Sequence, residues 1–403
     1  MRVLHLTPEL PRWPGGSGGA TRQFHLLRRL AELGHEITVV APIPAGETHR
    51  RSDLAATGVK LVGPVRPPSR VGETLRALVA RPVLIPWAAT LPVLAWQVSV
   101  LWVAMLPHVR RELARSPDMV TIEHDNAARW VAEVPDDVPA VLVADNVGYA
   151  YYESRARAST GPRRWALRAE ARRFARHDAR CLPRCRALVA VSDRDAEELK
   201  ATGASRIEVV PNGVAADELR QLPPSDEPAT VLFTGTLSHP PNSEGIRWFA
   251  DGAWLRVRAA RPDAKLLVVG RAPPRSVAEL DGRDGIEVVG PVAEMAPWFA
   301  RATAVVVPLR SGGGTRLKIL EAFASGRAVV STRVGAEGLE VADGRELLLT
   351  DGDADVAAGV LRLLGDPRLR ERLAGAGREL AESRYDWRVL GDRLDAFLRE
   401  VVG

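Results

Sequence analysis

The chain has 403 residues, enough for two or three domains at roughly 150 residues each. Hydrophobic residues at 46% and charged residues at 26% exclude collagen-like, disordered and coiled-coil classes. Two cysteines exclude a disulfide scaffold and point to a reducing compartment, and a net charge of +5 gives no argument for nucleic-acid binding. Of 55 basic residues only four are lysines, Lys60, Lys200, Lys265 and Lys318, a bias that reads as a genomic habit. The start MRVLHLTPEL makes a poor signal peptide, so a cytoplasmic protein is expected.

Val3 to Leu6 reads as a buried strand. A loop with Pro11, Pro14 and the run Gly15-Gly16-Ser17-Gly18-Gly19 leads into a helix from about Ala20. Phe24, Leu27, Leu30 and Ala31 share one face of it, and Gly34 is its C-terminal stop. Ile37 to Val40 is the next strand, so the chain opens a doubly wound parallel sheet. Residues 82–109 carry no charged side chain and include Trp87, Trp96 and Trp102. Their length permits a membrane span. Pro86, Pro92 and Pro107 interrupt it, and the domain resumes at Met119, so docking at a membrane interface or burial under the first domain is expected instead.

Met119 to Ile122 and Val141 to Ala144 are further strands. Residues 155–186 read as one long helix, with eleven arginines against Glu170 and Asp178. Leu167, Ala171, Phe174 and Cys181 lie on one side; the charged side is either solvated or drawn to anionic headgroups or a phosphate-bearing acceptor. Cys181 and Cys185 lack a histidine at metal spacing and read as small buried thiols. Leu188 to Ser192 is the last full strand of this half and Ile207 to Val210 a short one leaving it. Asp193-Arg194-Asp195 stands at a helix start, where Ser192 or Asp193 serves as cap rather than metal ligand.

The same grammar returns with strands at Val231 to Thr234, Leu266 to Val269, Ile286 to Val289, Ala304 to Val307 and Ala328 to Val330, and a helix over roughly 243–259. The reading is an α/β chain with residues 1–210 as one domain, 211–230 as a proline-bearing linker, 231–385 as a second domain and 386–403 as an amphipathic tail helix. Trp387, Leu390, Leu394 and Leu398 mark that helix's apolar face.

Glycine loops at the carboxyl ends of parallel strands are anion sites by default. The first loop is not a dinucleotide fingerprint, because Thr21 stands where the third glycine belongs, and no Walker lysine follows. It is as much a structural turn as a ligand loop. The second, Gly312-Gly313-Gly314-Thr315, runs into a helix start carrying Arg316 and Lys318. Positive charge there opposes the helix dipole, which an anionic ligand would compensate. Glu321, about a turn and a half from Arg316, suits ribose hydroxyls; the bland alternative is a solvated helix start with an ordinary ion pair.

These stretches, with Pro211-Asn212-Gly213-Val214, Leu320-Glu321-Ala322-Phe323-Ala324-Ser325-Gly326 and Val334-Gly335-Ala336-Glu337-Gly338, resemble the retaining glycosyltransferases of family 4, the group 1 transferases. The resemblance is strong over 210–350 and weak over 45–140. It implies the GT-B architecture: two Rossmann-like domains facing a cleft, with the C-terminal helix packing back on the first. It also implies transfer of a sugar from a nucleoside-diphosphate sugar, with retention and without metal or other cofactor. The family pairs two glutamates with seven residues between them. The second matches Glu321, but Gly313 stands at the first, leaving sugar recognition to the N–H groups of Gly313 and Gly314. The family's Arg and Lys after the first strand of the second domain are missing from Gly235 to Asn242, so Arg316 and Lys318 take over the pyrophosphate, as a G-G-G-T-R-L-K subgroup suggests.

Gly235, Gly270, Arg271, Gly290 and Val292 complete the expected donor site at strand ends. Acceptor candidates are Gly15, Gly16, Ser17, Gly18, Gly19, Glu123, Asp145 and Asn146, with Asp125 and Asn126 in the same run as Glu123. His124 either shuttles a proton or holds a neighbouring loop, and donor phosphate itself is an alternative proton acceptor. The expected partners are a nucleotide sugar, a glycan, lipid or small-molecule acceptor, and an anionic membrane surface at the inner face. Rival readings are a GT-B epimerase or phosphorylase, and an inactive sugar-nucleotide-binding subunit, which Gly313 keeps open.

Overall fold

The structure, a computed structural model, describes residues 1–14, 16–66, 93–157, 159–219, 221–223, 225, 227, 229–311 and 316–403, with backbone alone at 66 and 93–100. Gly15, Gly312, Gly313, Gly314 and Thr315 lie outside the described residues, as do residues 82–92 of the apolar stretch. Two compact units emerge, Met1–Pro211 with Leu390–Gly403, and Asn212–Val389.

The first unit carries a seven-stranded parallel sheet in the order Val59–Val62, Glu36–Val40, Arg2–Leu6, Met119–Glu123, Ala140–Ala144, Ala187–Ala190, Ile207–Val209. Strands such as Ala140–Ala144 are buried at every position, as a parallel sheet covered by helices on both faces requires. The second unit has six parallel strands in the order Ile286–Gly290, Lys265–Val269, Thr230–Thr234, Ala304–Val307, Val329–Thr332, Leu348–Thr350. In each sheet the strand order reverses beside the first strand of the unit. That reversal opens a crevice at the carboxyl ends, between Arg2–Leu6 and Met119–Glu123 in one unit and between Thr230–Thr234 and Ala304–Val307 in the other. Both glycine loops follow strands that border these crevices.

Several elements differ from the sequence expectation. The helix expected over 243–259 is two, Pro240–Asp251 and Ala253–Ala260. They break at Gly252, whose missing side chain leaves room for Asp353, 2.6 Å from where a Cβ would sit. The arginine-rich stretch is also two helices, Gly148–Arg157 and Gly161–Cys181, the second starting at a glycine with φ of 61° followed by Pro162. The strands Val59–Val62 and Leu348–Thr350 are not among those expected from the sequence.

Over 93–113 the chain is one helix containing Pro107. Met105 and Val109 are fully buried, and Trp102 stacks on Trp130 with centroids 4.6 Å apart, so this part of the apolar stretch is core. Among the described residues no helix is long and apolar enough to cross a membrane. Cys181 and Cys185 are free and half-buried rather than fully buried. Ser192 is the cap that accepts from Asp195 N.

The tail helix Trp387–Val402 buries Trp387, Leu390, Leu394 and Leu398. From Leu390 onward it belongs to the first unit, where Asp392 binds Arg29 at 2.8 Å and Asp395 binds His35 at 2.5 Å.

Candidate functional site

In the second unit the chain leaves Thr230–Thr234 at Gly235, with φ of 151°, a conformation open to glycine alone. A Cβ there would stand 2.9 Å from both Lys318 Nζ and Asn242 Nδ2, so the glycine makes room for the lysine. Gly270 closes the adjacent strand end by passing directly over the Gly235 carbonyl, where no side chain fits. Gly270 N donates to Gly290 O at 2.9 Å. Arg271 is exposed, its Nε 3.3 Å from Thr236 Oγ1. Val292 is half-buried against the core, so its side chain packs rather than reaching outward.

Arg316 is the cap of the helix Leu317–Ala324 rather than a residue of its first turn. It is buried, and its Nη2 donates to Val334 O at 3.3 Å. Burial lowers its pKa while the Glu337 charge opposes that shift. Lys318 Nζ donates to Asn242 Oδ1 at 2.7 Å and lies 4.4 Å above the Phe233 ring. Burial first, then the Arg316 charge, pull its pKa down to about 7, against the pull of Glu321. Burial raises Glu321 to about 7, with Lys318 opposing. Arg316, Lys318 and Glu321, with Glu337 on the Arg316 side, thus gather at a switch point, and Thr234 Oγ1 at the strand end is buried without a hydrogen-bond partner among the described residues.

Asn242 was not singled out from the sequence. It donates to Thr236 O at 2.9 Å while accepting from Lys318, which fixes the ammonium over the strand end. A polar residue just inside a helix that opens with Pro240-Pro241 was its only signal.

In the first unit Ser17 caps the helix Gly18–Glu32, accepting from Ala20 N, and donates to Glu9 Oε1 at 2.6 Å. Gly16 lets Arg12 O approach, a Cβ there falling 2.7 Å from it. Both residues therefore serve the turn. Gly19 faces the site: a Cβ there would lie 2.7 Å from Asp145 Oδ2 and 3.4 Å from His124 Cε1.

His124 has a φ of 69°, rare for a non-glycine residue, which turns its ring out of the strand end. Its Nδ1 is 3.4 Å from Asp145 Oδ2 and its Nε2 3.9 Å from Glu9 Oε2. Asp145 is 3.6 Å from Arg22 Nε, and Arg22 donates to the Val210 and Pro211 carbonyls at 2.7 Å each.

Glu123 lies beneath this surface. Burial first, and then the Asp145 charge, raise its pKa well above the ordinary range. It acts on its neighbours' charge and does not reach an acceptor. His5, 3.8 Å from it, is held down to about 4 by burial. Asn146 is exposed. Asp125 departs from expectation: it turns the other way and accepts from Gly148 N at 2.5 Å, in a buried group with His177 and Asp178. Burial and the Asp178 charge raise it to about 7. Arg22, Gln23 and His5 were missed. Gln23, at i−4 and i−7 to Leu27 and Leu30, was a polar break in an apolar face and could have flagged the buried cluster.

The model of "Glycosyltransferase Family 4" matches residues 16–218, and that of "Glycosyl transferases group 1" matches 228–366. A glycogen synthase of Mycobacterium tuberculosis is 25% identical over 411 residues, covering 97% of this chain and 92% of that one. A GDP-mannose-dependent monoacylated alpha-(1-6)-phosphatidylinositol monomannoside mannosyltransferase of Corynebacterium glutamicum is 28% identical over 212 residues. That match spans 48% of this chain and 56% of the relative. A solved structure of sucrose-phosphate synthase from Thermosynechococcus elongatus superposes with a TM-score of 0.73 at 17% identity, covering 100% and 99% of the two chains.

Proposed function

Since the chain belongs to glycosyltransferase family 4 and has the GT-B fold, we propose that it transfers a sugar from a nucleoside-diphosphate sugar to an acceptor hydroxyl with retention of configuration and without a metal ion. It is a glycosyltransferase of the group 1 kind, with a nucleotide-sugar donor and a separate acceptor. Arg316 and Lys318 bind the pyrophosphate and stabilise the charge that develops as the glycosidic bond breaks, the role a divalent cation would otherwise fill. Glu321 accepts from the ribose hydroxyls. The Gly312–Gly314 loop contributes N–H groups to the donor, and Gly235, Gly270 and Gly290 keep the strand ends free of side chains.

The acceptor, a glycan, lipid-linked sugar or small molecule, sits against Gly19, His124 and Asp145. His124 takes or relays the acceptor proton, with Asp145 fixing its tautomer through Nδ1; donor phosphate is the alternative acceptor of that proton. The enzyme works in the cytoplasm, peripheral to the inner face of the membrane.

One observation carries the reading: Lys318 Nζ held by Asn242 over the end of Thr230–Thr234, in space that Gly235 leaves open. The experiment is a thermal-shift panel of UDP, GDP, ADP and dTDP on the wild type and Arg316→Ala. One nucleotide should stabilise the wild type strongly and the variant little. Equal stabilisation of both proteins removes the cation site from the mechanism. Release of nucleotide from a donor sugar separates the transferase from an inactive binding subunit, and product analysis without acceptor separates it from an epimerase.

A further inference from the structure

The helix Gly161–Cys181 has two unlike sides. Glu170, Ala171, Phe174, His177 and Asp178 are buried. At about 3.6 residues per turn, Trp165, Arg168, Arg172, Arg176 and Arg180 fall on the opposite side, along about 22 Å of helix. Arg172, Arg176 and Arg180 are exposed, Arg168 is half-buried, and Trp165 is 68% exposed.

From Arg155 to Arg186 the only acids are Glu170 and Asp178. Both are turned inward, Glu170 to Arg173 at 3.3 Å and Asp178 to His177 at 3.1 Å. The outward arginines therefore have no countercharge on their own helix. Among the described residues none of Arg168, Arg172, Arg176 and Arg180 forms an ion pair. The packed neighbour helix Gly148–Arg157 adds Tyr151, 44% exposed, with the Arg155 guanidinium 5.5 Å from its ring centroid.

We propose that this face docks on an anionic lipid bilayer, the arginines against lipid phosphates and Trp165 in the headgroup layer. The complement of an unpaired row of guanidinium groups is a row of phosphates. A convex face on one helix suits a plane, whereas single-stranded nucleic acid is held in grooves lined with stacking platforms. An indole projecting beside the arginines matches the interfacial layer, where its ring sits among headgroups and its N–H stays hydrated. The proposal rests on the reading that the enzyme works at the inner face of the membrane, and it names the surface that brings it there.

The test is flotation of the full chain with vesicles of phosphatidylglycerol and phosphatidylcholine, or of phosphatidylcholine alone. The wild type should float with the mixed vesicles only and be released by high salt. Combined Arg172→Gln, Arg176→Gln and Arg180→Gln should weaken partitioning on the order of a hundredfold, about fivefold per charge. Trp165→Ala should weaken it several-fold. Matched melting temperatures check that the variants fold. Equal flotation of the triple variant, or of the wild type with phosphatidylcholine alone, overturns the proposal. So does equally tight binding of a single-stranded oligonucleotide that is lost in the same variant. The nucleotide thermal shift of the triple variant should match the wild type, so failed docking leaves that response intact, whereas failure of the transferase reading removes it.

Discussion

Around Lys318 and Arg316 the partly or fully buried ionisable groups include two cations and the acids Glu321 and Glu337; around His124 they are Glu9, Glu123 and Asp145 with one arginine and two histidines. Loss of water acts on both sets, but to opposite ends. It drives Lys318 down toward neutrality in the second unit and Glu123 up toward protonation in the first. A buried ammonium drawn toward neutrality is recharged by a diphosphate. A site with surplus acid is relieved by a proton or a hydroxyl donor. The same α/β crevice is therefore tuned for two chemistries by the balance of cations and acids gathered there.

The strongest way to break this comparison is to delete the cation. Lys318→Ala should lower kcat/KM about a thousandfold and remove most of the thermal shift caused by the nucleotide. Steady-state kinetics and melting curves check it. Retained activity would mean that the positive end of the comparison does not serve the leaving group.

The acid side should respond less. Asp145→Asn removes the carboxylate nearest His124 Nδ1 and one of the two acidic charges acting on Arg22. We expect kcat to fall about a hundredfold with KM nearly unchanged, which steady-state kinetics checks. Unchanged kcat would reduce Asp145 to a structural partner and leave donor phosphate as the proton acceptor.

Both sheets were legible because strands buried on two faces read as apolar runs, with glycine loops where the chain turns at their ends. Breaks inside helices were not. Gly252 interrupts its helix because Asp353, a hundred positions away, fills the space, and nothing nearby announces that. Lys318 stood out by composition, as one of four lysines among 55 basic residues. Asn242, which orients it, is 76 positions away and looks like any polar residue near a helix start. Arg22 was hidden for the same reason: its partners Asp145, Val210 and Pro211 come from distant loops, so its burial follows from tertiary packing that no local pattern carries.

The pH dependence of nucleotide binding sharpens the contrast further. Lys318 titrates at about 7 without ligand, and a diphosphate favours its charged form. Below that value the lysine is already cationic; above it, binding takes up a proton. Affinity should therefore fall as pH rises through 7, by up to roughly tenfold per unit. Calorimetry near pH 8 should show a binding enthalpy that depends on the buffer's own ionisation heat. Glu321 pulls the other way at low pH, because its protonation below about 7 weakens its acceptance from ribose. The result should be an optimum near neutrality. An affinity that stays flat from about pH 6 to 8 would show that Lys318 does not change charge on binding.

The smallest expected effect isolates Asn242. Its Oδ1 is the acceptor that holds the Lys318 ammonium, so Asn242→Ala removes a hydrogen bond that favours the charged lysine. The Lys318 pKa should then fall further, by a fraction of a unit. Affinity for the nucleotide should drop several-fold at neutral pH, and the loss should shrink as pH falls and the lysine is charged in either protein. A residue that touched the nucleotide directly would lose the same factor at every pH. Measuring the ratio of wild-type to variant Kd across the lysine's titration range thus separates a group that positions the cation from one that binds the ligand itself.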